Sequence, residues 1–200
     1  MGDVNGVGPE IIAKLLSQGL SAMPGGHFPL VVGSKEALDK ALHLIEKEVP
    51  LTTISHVCDW DPRAGAQIIQ AELNPKIRPG VTCPEAGEAS IQWVQHSVQW
   101  IQQGWASALV TAPLSKAAVE PSVSGFQGHT EYIGEMCGDP EPVLALVHGD
   151  WVVAHVSTHV SLREACDRVT EPRVSKTIQC LGELLRRLKP HQDRIKIGVA

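Results

Sequence analysis

Four short segments carry residues whose types and spacing could do chemistry. The first is Gly2-Asp3-Val4-Asn5-Gly6-Val7-Gly8-Pro9-Glu10, where three glycines within seven residues permit tight or left-handed backbone and Pro9 suits a first helical turn. A glycine loop that feeds a helix N-terminus can cradle an anion. The segment is not a dinucleotide fingerprint, because Ile11 stands where the third glycine would be, and no P-loop Gly-Lys-Ser/Thr occurs. It reads either as an anion site or as a tight turn entering a helix. The second is Leu109-Val110-Thr111-Ala112-Pro113-Leu114-Ser115-Lys116. Lys116 follows a strand-like stretch, the zone where open parallel sheets bind ligands, so it suits an anionic substrate or is a solvated lysine at a helix start.

The third segment, Gly125-Phe126-Gln127-Gly128-His129-Thr130-Glu131, delivers an imidazole and a hydroxyl to the head of a helix expected over 132–136. Free N–H groups there suit a phosphate or carboxylate; alternatively Thr130 only caps the helix and His129 lies on the surface. The fourth is His155-Val156-Ser157-Thr158-His159-Val160-Ser161-Leu162-Arg163. In extended chain His155 and His159 share a face but stand about 13 Å apart, too far to ligate one ion together. His159 is a candidate metal ligand or a structural histidine. Histidines 27, 43, 56, 96, 148 and 191 have no partner at ligand spacing, and HExxH, GxSxG and zinc-finger patterns are absent.

Elements of both periods position these segments. Strands are expected at 28–33, 51–57, 108–111, 143–148, 151–155 and 194–200, with Gly149-Asp150 turning the fourth into the fifth. Helices are expected at 9–20, 35–47, 84–104 and 170–188, the second capped by Ser34. Alternating strands and helices predict an α/β fold with a mostly parallel sheet, flanking helices and one antiparallel hairpin. The chain opens inside a loop motif and closes within a strand, so it reads as truncated at both ends, with a first strand missing.

Composition narrows the function classes. With 200 residues, 43% apolar and 20% charged, the chain can bury a sizeable core without staples. A net charge of −5 argues against nucleic acid as a partner, and no apolar run approaches the roughly 18 residues of a membrane span. Cys58, Cys83, Cys137, Cys166 and Cys180 are scattered without a CxxC pair, which with no signal peptide suits reduced thiols in the cytoplasm.

In their order, the stretches GDVNGVGPEI (2–11), PGVTCPEAG (79–87), ALVTAPLSK (108–116), GHTE (128–131), THVSL (158–162) and the closing IKIGVA (195–200) resemble the 4-hydroxythreonine-4-phosphate dehydrogenase family, the PdxA-type enzymes of pyridoxal phosphate biosynthesis. The resemblance implies an isocitrate/isopropylmalate dehydrogenase-like fold of two domains with the cleft between them. A division into 1–120 and 121–200 follows, the second domain incomplete and carrying dimerisation and the metal site. It also implies NAD or NADP, a divalent metal ion (Zn, Mg or Co), and oxidation with decarboxylation of 4-phosphohydroxy-L-threonine or a related hydroxy acid phosphate. Carried over by motif, His129 and Thr130 bind substrate and His159 binds metal; the catalytic acid or base is not identified. The family implies a homodimer with its active site at the subunit interface. Val4-Asn5 replaces a Pro-Ala common in the family, and Leu114-Ser115 replaces a histidine-containing pair, so threonate or erythronate phosphates and aromatic dihydrodiol carboxylates stay open as substrates. A non-catalytic binding module is the alternative of another class. The 200-residue chain alone is expected to lack activity and a tight metal site, because one imidazole does not make a metal cage.

Overall fold

The computed structural model describes residues 1–19, 28–70, 72–139 and 141–200. Leu20, at the end of the first expected helix, and His27 lie outside the described residues. The chain forms two compact units, Met1–Gly138 and Asp139–Ala200.

In the first unit, β1 (Leu30–Gly33), β2 (Leu51–Ile54) and β3 (Ala66–Gln70) form a parallel sheet in the order β1-β3-β2. Val31 and Thr53 both stand in register with Ile68. The central strand β3 is the element that sequence periodicity does not reveal, because Gln67 and Gln70 interrupt its apolar run. Gln67 is nonetheless 1% exposed. Its side chain accepts from Asp61 N at 3.1 Å and donates to the Asp61 carbonyl, so the buried amide is satisfied by the loop that enters the strand. Helices α1 (Gly8–Ser17) and α2 (Lys35–Leu44) cover the sheet, joining Ala13, Leu16, Leu38, Ala41 and Leu42 to Val31, Ala66 and Ile68 in one core.

Helix ends differ from expectation for identifiable reasons. α1 stops at Ser17, where Gly19 takes a φ of 85° and bonds back to Leu16 O. α2 begins as expected after Ser34, whose Oγ accepts from Ala37 N, but ends at Leu44 rather than 47. Glu46 adopts a φ of 54° and Lys47 N turns back to Leu42 O. α3 (Pro84–Gln102) buries a stripe of small residues with Ile91, Trp93, Val94 and Val98, and closes at Gly104. Trp93 sits with Val4, Ala37, Cys83, Ala86 and Ala89 in a second core. α4 (Lys116–Val119) and α5 (His129–Met136) complete the unit; a third core gathers Ile91, Val119 and Phe126, against which Tyr132 packs. Residues 121–138 therefore pack with the first unit, so the division falls after Gly138, whereas the sequence places it near 120.

The second unit holds the expected hairpin, β4 (Ala145–His148) and β5 (Trp151–Ala154), turning at Gly149-Asp150. Two helices follow, α6 (Leu162–Asp167) and α7 (Glu171–Leu188). Two expected strands are corrected. Residues 108–111 and 194–200 form no strand among the described residues, and Val110 is 93% exposed. A strand exists only where a neighbour supplies its ladder, and none pairs with either segment.

Candidate functional site

The glycines of the first motif serve chain packing. A Cβ at Gly2 would meet Pro113 O and Ala112 O, and one at Gly8 would lie 2.7 Å from Met1 O. The backbone of Met1, Ala112 and Pro113 thus packs against the bare faces of these two glycines. The loop also grips the 79–87 motif through Asn5, which is 4% exposed. Asn5 Oδ1 accepts from Arg78 N at 2.6 Å, while Nδ2 donates to Val81 O at 3.0 Å and meets Cys83 Sγ at 3.3 Å. Asp3 Oδ1 accepts from Asn5 N at 2.8 Å, and Asp3 N donates to Pro113 O at 3.0 Å. Three motifs far apart in sequence thus meet at one place. Asn5→Ala removes the hydrogen bonds that a 4%-exposed side chain makes with Arg78 N and Val81 O and is expected to destabilise by about 1–3 kcal/mol, read from denaturant midpoints. A change under about 0.5 kcal/mol would show that the clamp is dispensable.

That meeting place positions residues 111–116. Ser115 caps α4 by accepting from Ala118 N at 3.3 Å, which sets Lys116 at the start of the helix. The helix of the 128–131 motif begins earlier than expected, at His129 rather than 132, because Gly128 serves as its N-cap with a φ of 157°. Tyr132 anchors this helix: its hydroxyl accepts from Gln95 Nε2 at 2.6 Å and its ring meets Phe126 edge-on at 5.8 Å. His129 is half-buried, and its Nε2 is shielded from solvent without a hydrogen-bond partner among the described residues. Thr130 beside it is exposed.

Burial, and secondly the positive charge of the Met1 α-amino group, lower the His129 pKa below 6.5. Burial also lowers that amino group to about 5, so at neutral pH it is largely uncharged and burial carries the effect on His129. The imidazole is therefore neutral at pH 7, with one donor and one acceptor nitrogen. A depressed folded-state pKa means that the unfolded chain takes up the proton first as pH falls. The resulting stability is fully present above 6.5 and declines as pH drops through the folded value. Stability of the wild type is expected to fall faster than that of His129→Gln between about pH 7 and pH 5, as thermal melts would show. Parallel curves would contradict this.

The second unit holds His159. It is exposed, and its backbone lies in the left-handed region with a φ of 53°, one of two non-glycine residues so described, with Glu46. Such a conformation is disfavoured for a side chain and clusters at functional positions. His155, just past the end of β5, donates its N–H to Leu144 O at 2.9 Å. No three His, Cys, Asp or Glu side chains among the described residues stand close enough to hold a metal ion. Among the described residues His159 offers a single donor, so a divalent ion there would need further donors besides it. Because Gly tolerates positive φ, His159→Gly is expected to be about 1 kcal/mol more stable than His159→Ala in denaturant unfolding. Equal stability would show that the strain is relieved.

Sequence reading missed Arg173, whose guanidinium donates to Val156 O at 2.8 Å, Glu141 O at 2.8 Å and Pro142 O at 3.1 Å. It ties α7 to both strand ends of the hairpin, upstream of the His159 loop. Lys176 supports it by donating to Asp139, which holds that carboxyl below the usual carboxylate range. An arginine in a first helical turn gives no sequence signal of such a role.

The family model described as pyridoxal phosphate biosynthetic protein PdxA matches residues 27–199. The D-threonate 4-phosphate dehydrogenase of Bordetella bronchiseptica is 32% identical over 191 residues, which cover 94% of this chain and 54% of that protein. The 4-hydroxythreonine-4-phosphate dehydrogenase of Trichlorobacter lovleyi is 31% identical over 183 residues, covering 90% of this chain and 54% of its own length. The crystal structure of a 4-hydroxythreonine-4-phosphate dehydrogenase from Burkholderia phymatum superposes with a TM-score of 0.84 at 29% identity, covering 99% of this chain and 59% of that one. The chain thus spans less than two thirds of the length of these relatives. With the family matched over most of its residues and an α/β fold close to the solved structures, this chain belongs to the PdxA family.

Proposed function

We propose that the whole protein is an NAD- or NADP-dependent, divalent-metal-dependent dehydrogenase that oxidises and then decarboxylates a four-carbon, 4-phosphorylated hydroxy acid. The observation that carries the reading is the shielded, partnerless Nε2 of His129 at the head of α5, with the Thr130 hydroxyl beside it. A neutral imidazole and a hydroxyl at a helix N-terminus can hydrogen-bond the oxygens of such a substrate without introducing a second charge. The relatives are named for D-threonate 4-phosphate and for 4-hydroxythreonine 4-phosphate, which share the four-carbon frame and terminal phosphate.

In this reading His129 and Thr130 orient the substrate and His159 contributes one donor to the metal. A divalent metal, for which His159 would be one donor among several, would supply positive charge when bound, and a nicotinamide would supply redox capacity. The isocitrate/isopropylmalate dehydrogenase-like assignment, a two-domain cleft and a cytoplasmic homodimer with the site at its interface belong to the same proposal. Exposed Leu146, Val147, Trp151 and Val153 on the hairpin support an assembly, since apolar clusters of this kind mark contact surfaces. Five free cysteines suit a reducing compartment.

The test is NADH formation by the full-length protein with 4-phosphohydroxy-L-threonine, D-threonate 4-phosphate and D-erythronate 4-phosphate, with and without a chelator. Chelator-sensitive NADH formation with at least one of them is expected. No signal with any, metal being present, would sink the dehydrogenase reading in favour of a binding module.

A further inference from the structure

We propose that Arg173 is the positioning residue of the His159 loop: its guanidinium fixes the path of the chain that sets where the His159 imidazole stands. The inference rests on the reading of His159 as one donor to a divalent ion. It adds a residue of α7 that acts through the backbone.

Arg173 Nε donates to Val156 O at 2.8 Å, and its two terminal nitrogens donate to Glu141 O at 2.8 Å and Pro142 O at 3.1 Å. Glu141 and Pro142 precede β4, and Val156 follows β5, so one planar fork closes the open end of the hairpin. The strand pairing runs out just inside it, at the bond from His155 N to Leu144 O. Every acceptor is a backbone carbonyl, so the fork fixes the course of the chain whatever side chains it carries. Hydrogen bonds from a charged donor are also about twice as strong as neutral ones. A lysine ammonium is a point donor and does not reproduce the rigid fork.

His159 lies three residues beyond Val156. On its far side Ser161 Oγ accepts from Glu164 N at 3.3 Å and caps α6. Residues 157–160 therefore run between two anchors, and within them His159 holds its φ of 53°. A residue with a side chain stays in that region only where its surroundings over-determine the backbone. The Arg173 and Ser161 anchors bracket the strained position. α7 is itself tied to the same segment, because Asp139 Oδ1 accepts from Lys176 Nζ and also from Glu141 N at 3.0 Å.

Amide hydrogen exchange of the metal-free full-length protein and a calorimetric titration with Co²⁺ read the two halves of the inference. Arg173→Gln is expected to speed exchange at residues 157–160 about tenfold or more, while residues 178–188 of α7 stay within about threefold. It should weaken Co²⁺ binding about tenfold or more, as loss of a group that orients a ligand does. Arg173→Lys keeps the charge without the fork and should recover less than half of that loss on a logarithmic scale. Thr177→Val is the control: the Thr177 hydroxyl donates to Arg173 O at 2.9 Å, so the variant loosens the same turn of α7 without touching the loop. Its Co²⁺ affinity should stay within about threefold of wild type. Should Arg173→Gln not fold, Arg173→Lys carries both readouts, with faster exchange at 157–160 and weaker Co²⁺ binding expected.

Unchanged exchange at 157–160 in the Arg173 variants overturns the proposal, as does full recovery by lysine. A Co²⁺ loss in Thr177→Val equal to that in Arg173→Gln would do the same, since general loosening of α7 would then explain both. Faster exchange at 157–160 in a protein whose wild type binds no Co²⁺ would uphold Arg173 as the positioning residue while overturning the metal reading of His159. Co²⁺ bound equally by wild type and Arg173→Gln would overturn this inference alone.

Discussion

His129→Ala in the full-length protein is expected to lower kcat/KM about 100-fold, with most of the loss in KM. A hydrogen bond to a charged partner contributes about 1.5–3 kcal/mol, or a factor of roughly 10 to 150. The imidazole Nε2 is already shielded and partnerless, so the substrate gains a contact there without displacing a competing protein group. Removing the ring also opens the half-buried site to water, which weakens the remaining polar contacts. His129→Gln, which keeps an amide in reach, should recover part of the loss. His159→Ala should behave differently, lowering metal affinity in a calorimetric titration that His129→Ala leaves nearly unchanged. Equal metal loss in both variants, or a kcat/KM for His129→Ala within about threefold of wild type, would show that His129 does not touch the substrate.

The second large effect is on folding. Gly87→Ala is expected to destabilise the first unit by about 3 kcal/mol or more, a large share of the roughly 5–15 kcal/mol of a typical domain. A Cβ there would meet the Ala118 carbonyl and lie 2.7 Å from Val119 N, both of them backbone, so no side-chain rotation relieves the contact. α4 must move away from α3. Val119 would then leave the core it shares with Ile91 and Phe126, and Lys116 at the head of α4 would leave the space over Gly128. Denaturant unfolding should show a much lower midpoint. A midpoint unchanged within about 0.5 kcal/mol would mean that the two helices separate readily.

Much of the helical frame is legible in the sequence, because α1, α2, α3 and α7 each announce themselves by apolar spacing and by a proline or serine at the start. The hairpin is equally plain at Gly149-Asp150. The central strand is not legible, since a buried glutamine looks like an interruption until Asp61 is seen to satisfy it. Residues 108–111 carry a strand's composition, but composition cannot supply the neighbour that a ladder requires. At the site, the order of motifs identifies the family, and the types of His129, Thr130 and His159 suggest their chemistry. What the order cannot show is Asn5 joining partners 73 to 78 residues away, or Lys116 reaching the bare Cα of Gly128. Those are facts of packing between distant segments, and single-sequence periodicity holds no trace of them.

The most direct test of the central claim is a crystal structure of the full-length protein with D-threonate 4-phosphate bound. Substrate oxygens are expected within hydrogen-bond distance of His129 Nε2 and Thr130 Oγ1 at the head of α5. Substrate bound elsewhere, with His129 Nε2 still lacking a partner, would contradict it.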